Sequence, residues 1–189
     1  FNGDITFATD ANLDVDLQND DATPGTDLIV FADNANILLS GTGAATLKAS
    51  QNVSFNSGSS LETTNGDLTI EVNQQAPSTG PFYGIAVWGG TVRIKGSGNL
   101  LLKGKGSNDV VGYPLGLHIS SGGLISGGTG TTVVEGTGGE SSWDGILGIW
   151  IEGTNSKITS MGGNVSVTGQ GGGTGTSGYN DGIVVSRAG

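Results

Sequence analysis

The 189-residue chain has no cysteine, a single histidine and only seven lysines and arginines. Without cysteine there is no disulfide framework, no zinc–thiolate site and no thiol nucleophile. Set against seventeen Asp and Glu, the few cations leave a formal charge of −10. Such a surface repels polyanions, so nucleic acid and anionic membranes are poor partners. No run approaches the roughly 20 apolar residues of a spanning helix. Long stretches of Ala, Leu, Glu and Lys are missing as well, which excludes a helical repeat. The sequence opens at Phe1, not Met, and holds no stretch that reads as a secretory leader.

What the chain has in quantity is glycine, 37 residues, against a usual share of roughly 7 per cent. The glycines follow no G-X-Y period, so the chain is not collagen-like. Apolar residues stay at 34% and recur in register, so it is not a disordered linker. Gly, Ser, Thr, Asn and Asp supply corners, where a left-handed backbone or a side-chain bond to the main chain is needed.

The register is clearest over residues 84–185. Ile85-Ala86-Val87, Leu117-His118-Ile119, Ile149-Trp150-Ile151 and Ile183-Val184-Val185 each follow a glycine, with first residues 32, 32 and 34 positions apart. A second column holds Val92-Arg93-Ile94, Leu124-Ile125 and Ile158-Thr159; a third holds Leu100-Leu101-Leu102, Val133-Val134 and Val165-Ser166-Val167. Glycine-rich excursions separate the third column from the next first one. A fixed period of this size marks a stacked repeat, and the alternation within each triplet is that of a strand.

The pattern predicts an all-β parallel β-solenoid, a three-sided β-helix of about six coils with glycine-rich loops on one edge; a right-handed wind is what this class of fold leads one to expect, not something the spacing shows. It predicts one solenoid over 1–189, with shorter-loop coils in 1–83 and coils of about 32 residues with long loops in 84–189. Both ends cut across the repeat, so the chain reads as a segment of a longer one.

NVSFNSGSSLETTNGDLTIEV, with NANILLSGTGAATLKASQNVSF before it, resembles the repeats of filamentous haemagglutinin-like exoproteins. GGNVSVTGQGGGTGTSG resembles the glycine-rich repeats of very large bacterial surface proteins of the same architecture. The resemblance implies a secreted or cell-surface bacterial β-helix used as an adhesin or stalk, although the secretion domain such proteins carry is not recognisable here. Partners on this view are a cell-surface glycan or protein, or further copies of the chain, with no membrane insertion.

The outward residues of the first column run Ser54, Ala86, His118, Trp150 and Val184, with Trp88 two positions beyond Ala86. Aromatic faces on a rigid sheet suit sugar rings, so Trp88, His118 and Trp150 form a candidate glycan stripe, unless the loops fold over them. Phe82, Tyr83, Tyr113, Trp143 and Tyr179 each sit in a loop shortly before the returning strand. Their recurrence predicts that they staple the loops to the solenoid; pointing outward, they would make a ladder of binding tips.

Asp14, Asp16, Asp20, Asp21 and Asp27 flank one N-terminal turn and are candidate Ca²⁺ ligands. The spacing is not that of an EF-hand, and an acidic edge that discourages strand pairing is the simpler expectation. A glycosidase needs converging carboxylates. The outward column in question offers Glu62 beside Arg93, then Ile125 and Thr159, which is one ion pair. His118 has only an alanine and a tryptophan as layer neighbours. No nucleophile elbow, P-loop or metal-binding helix is present. The chain is therefore expected not to be an enzyme, and no cofactor other than Ca²⁺ is suggested. A polysaccharide lyase or hydrolase and a subunit of an extracellular filament remain as rival functions.

Overall fold

The computed structural model describes residues 1–18, 26–75, 79–108 and 112–187. They form strands β1 (Ile5–Thr6), β2 (Leu13–Leu17), β3 (Leu28–Phe31), β4 (Asn36–Leu39), β5 (Ala45–Ala49) and β6 (Asn52–Phe55). Then come β7 (Ser60–Thr63), β8 (Leu68–Val72), β9 (Ile85–Trp88), β10 (Thr91–Ile94), β11 (Leu100–Lys105) and β12 (Leu117–Ser120). The last are β13 (Leu124–Gly127), β14 (Thr132–Thr137), β15 (Ile149–Glu152), β16 (Lys157–Ser160), β17 (Val165–Gln170) and β18 (Ile183–Ser186). Among the described residues no helix is long and apolar enough to cross a membrane.

The strands make three six-stranded sheets: β1-β4-β7-β10-β13-β16, β2-β5-β8-β11-β14-β17 and β3-β6-β9-β12-β15-β18. Consecutive strands always lie in different sheets, and the chain winds as a three-sided parallel β-solenoid. The period becomes register. Ile85, Leu117, Ile149 and Ile183 pair in one row of the third sheet, and Val15, Leu47, Ile70, Leu102, Val134 and Val167 make a row of the second. These rows face inward and fill the axis with stacked aliphatic side chains, the burial that offsets the cost of ordering such thin coils. At the N-terminal end the stack is aromatic. The rings of Phe1 and Phe31 lie 4.8 Å apart and those of Phe31 and Phe55 4.3 Å apart.

Three local expectations change. The outward column of the first sheet runs Glu62, Arg93, Ser126 and Thr159; Ile125 is instead in the inward row with Val92 and is fully buried. Glu62 also holds two cations rather than one, Arg93 at 2.5 Å and Lys95 on its other oxygen. Short coils, moreover, do not fill residues 1–83. Val15 to Leu47 and Val53 to Ile85 each span 32 residues, and only the coil from Ile29 to Val53, at 24, is short.

The short coil matters because all the long excursions leave from one corner, between the second sheet and the third. After β5 that corner consists of Ser50 and Gln51 alone. This coil therefore sends out no loop at the corner and leaves a gap there.

Candidate functional site

The gap exposes the loop that follows β8. Asn52, the first residue after the short corner, donates from its side-chain amide to the Tyr83 carbonyl at 2.7 Å, which ties the end of that loop to the third sheet. Beneath the gap lies a lobe of about 390 Å³ lined by Leu28, Gln51, Phe82, Tyr83, Trp88 and Tyr113, among others. A second lobe of about 350 Å³ is lined by Tyr83, Tyr113, Leu115, Gly145, Leu147 and Trp150. Tyr83 and Tyr113 line both, so the two lobes adjoin at these rings along the third-sheet face and are together called the groove. No charged side chain among the described residues lines either lobe. Polar groups are few and uncharged, chiefly the amides of Gln51 and Asn52.

The aromatic stripe is real but is knitted together diagonally. His118 and Trp150 are register partners, and their rings stack at 4.9 Å and 17°. Trp88, in register with Ser120, reaches across the column, and its indole N–H donates to His118 Nδ1 at 3.1 Å. Glu152 reaches back from the other side, with Oε1 at 3.0 Å from His118 Nε2. The Trp150 indole repeats the diagonal step, donating to Ser186 Oγ at 3.1 Å. Tyr83 closes the cluster edge-on, 5.1 Å from the His118 ring and 6.0 Å from Trp88. Ala86 is outward by register yet fully buried, as the covering loop requires.

These bonds determine the imidazole tautomer. An indole N–H only donates, so Nδ1 must accept; the ring proton then sits on Nε2 and is donated to the Glu152 carboxylate. Burial lowers the His118 pKa from its ordinary value, against the opposing hydrogen bond and charge of Glu152. Burial also raises the Tyr83 phenol, with the Glu152 charge adding to it. Both imidazole nitrogens are occupied and the residue is 7% exposed, so His118 offers no free nitrogen to a substrate.

The loop aromatics divide. Tyr83 staples its loop to the sheet as the recurrence predicts. Tyr113, Trp143 and Tyr179 are instead 53%, 44% and 82% exposed. Tyr113 and Trp143 meet edge to face at 5.2 Å, so two successive loops brace each other rather than the core. Tyr179 holds a left-handed backbone at φ 55°, an unfavourable conformation for a bulky residue, and its ring stands in solvent. Trp88 is 37% exposed and Trp150 partly buried. The structure thus places Trp88, Trp150 and Tyr113 in the groove lining, with His118 buried against both tryptophans and Trp143 packed on Tyr113, and leaves Tyr179 outside the lining.

Glu152 and the closing role of Tyr83 were not visible as layer neighbours. The acidic partner of His118 sits one coil on and two residues along, and only a diagonal search of the columns finds it.

Asp14 and Asp16 are exposed on β2, pointing away from the core. Asp16 accepts from the Gln18 amide at 3.0 Å and is in register with Lys48, which suits an acidic edge better than a chelate. Asp20 and Asp21 lie outside the described residues. Among the described residues no three His, Cys, Asp or Glu side chains gather into a possible metal site.

Compared with known proteins, the chain matches no family model, no curated protein and no solved structure.

Proposed function

We propose that this chain is a segment of a secreted or cell-surface bacterial adhesin, a rigid β-solenoid whose contact surface is the aromatic groove and whose ligand is a neutral glycan. One observation carries the ligand class: the two lobes are walled by Tyr83, Trp88, Tyr113 and Trp150, with side-chain amides and no described charge. Pyranose rings offer apolar C–H faces to aromatic rings and hydroxyls to amides. The acidic surface of the chain, at −10, opposes sialylated, sulfated and uronate-rich glycans. The solenoid supplies stiffness, since its hydrogen-bonded ladders hold successive coils about 4.8 Å apart and fix the groove walls before any ligand arrives.

The groove binds without turnover on this reading. Both nitrogens of His118 are committed, and Glu62 is held between Arg93 and Lys95, so neither is free to act as acid or base on a bound sugar.

The test is a panel of neutral and acidic oligosaccharides, with affinities measured by titration calorimetry. Neutral glycans are expected to bind. Tyr113→Ala removes a ring shared by both lobes and should weaken binding about tenfold or more, as truncating an anchoring aromatic does. Tyr179→Ala, outside the lining, should bind as the parent does. Absence of neutral-glycan binding, or binding indifferent to Tyr113→Ala, leaves the chain as a stalk alone; release of cleaved sugar overturns the non-catalytic reading.

A further inference from the structure

We propose that His118 is the positioning residue of the groove's aromatic wall, and that its protonation releases Trp88 from that wall while holding Trp150 in place. The functional meaning of this step rests on the groove reading above, but the step itself needs no ligand.

The geometry sets the two tryptophans apart. Trp88 is fixed by a bond that exists only while His118 Nδ1 carries a lone pair. A proton on Nδ1 places two N–H donors face to face, and the indole must turn away or lose its partner. Trp150 responds in the opposite sense. It stacks on the imidazole face at 4.9 Å, and an imidazolium over an indole gains a cation–π attraction. The Trp150 indole N–H is bonded to Ser186 Oγ, which does not titrate in this range. Trp88 lines the lobe beneath the loop gap and Trp150 the other. Acid therefore loosens one half of the groove and leaves the other standing.

The groups that face His118 set where this happens. β9 presents Ala86 and Trp88, neither titratable. β15 presents Glu152, whose carboxylate favours the imidazolium. The covering loop presents Tyr83, neutral below the alkaline range, and behind it stands Tyr113, which adjoins both lobes. Burial outweighs Glu152, so the ring titrates below its ordinary 6.5. The unfolded chain then binds the proton more readily than the folded one. The stability this gives is fully present above about 6.5 and is lost as pH falls through the folded value.

The experiment follows the three tryptophan indole N–H signals and the His118 ring nitrogens by ¹⁵N NMR on the whole chain, between pH 8 and 4.5, without ligand. At neutral pH the ring is expected to show a protonated Nε2 and a bare Nδ1. Below pH 6.5 the Trp88 indole signal shifts in step with His118, and the Trp150 indole signal holds still. Glu152→Gln keeps an acceptor for Nε2–H, removes the charge and moves the midpoint lower; His118→Gln abolishes the Trp88 titration. A neutral ring protonated on Nδ1 overturns the proposal on the unaltered chain, whether or not the variants fold. So does a Trp88 signal that ignores the His118 titration, or one that still titrates in His118→Gln.

Glycan affinity is measured separately from pH 7.5 to pH 5. Affinity that falls with the Trp88 transition supports acid release, and affinity that stays flat while Trp88 moves overturns it as a control of binding. Absence of binding at pH 7.5 overturns the groove reading alone, because the Trp88 titration stands or falls without it.

Discussion

Gly104, Gly136 and Gly169 show how much is settled at single residues. They end an inward row of the second sheet that begins with Leu17, Ala49 and Val72. At these three glycines the returning backbone presses on the corner. A Cβ on Gly136 would lie 2.9 Å from the Gly148 carbonyl carbon and closer still to its oxygen. The φ of Gly136 is not in the left-handed region, so this glycine is required for space, unlike Gly89 and Gly122, whose φ of 72° and 82° serve turns. A glycine-rich sequence announces corners, but it does not separate the two needs. Gly136→Ala is expected to destabilise the fold by about 2 kcal/mol, as overpacking against unyielding backbone does, seen as a lower urea midpoint at unchanged slope.

At the scale of elements, a row of alternating charge runs up the outer face of the second sheet: Asp16, Lys48, Glu71, Lys103 and Glu135 are successive register partners. Lys48 and Glu71 approach to 4.0 Å, Lys103 and Glu135 to 3.3 Å. Parallel stacking with an unbroken register turns sequence spacing into opposite-charge neighbours. Each pair is partly exposed and contributes little alone. Lys103→Glu would line up three carboxylates in adjacent strands and should cost about 0.5–1 kcal/mol at low salt, a loss that thermal melts in 0.5 M salt should largely remove. The residues were legible from the start, but their alternation was not, because the short coil from Ile29 to Val53 shifts the count once the chain passes it.

For the molecule as a whole, stability is a sum over coils and their interfaces. Ile85, Leu117 and Ile149 are fully buried in the middle of the stack, while Ile183 in the same row is 41% exposed and Val185 beside it 73%. Local opening should follow that gradient. The bonded amides of β8 and β11 are expected to exchange with solvent at least about 100-fold more slowly than those of β17, by hydrogen-exchange mass spectrometry. Uniform protection along the chain would mean that the coils unfold as one block. The groove sits in the well-packed region, which suits a site whose walls must not move before binding.

The sequence alone determined the solenoid, the three columns and the layer neighbours of the third-sheet triplets, but not the outward neighbour of Arg93, which is Ser126 rather than Ile125. Parallel stacking with a constant period leaves one register, so Trp150 had to lie over His118 and Arg93 over Glu62. Only the tertiary structure decided the rest. Diagonal contacts such as Trp88 to His118 and His118 to Glu152 depend on side-chain rotamers that no spacing records. The loop paths lie outside the repeat, and each is set by the room its neighbours leave. Tyr83, two residues before its strand, folds inward and Tyr179, four before its own, stands outward, and the first lobe of the groove lies beside the corner after Ala49, which is too short to carry a loop.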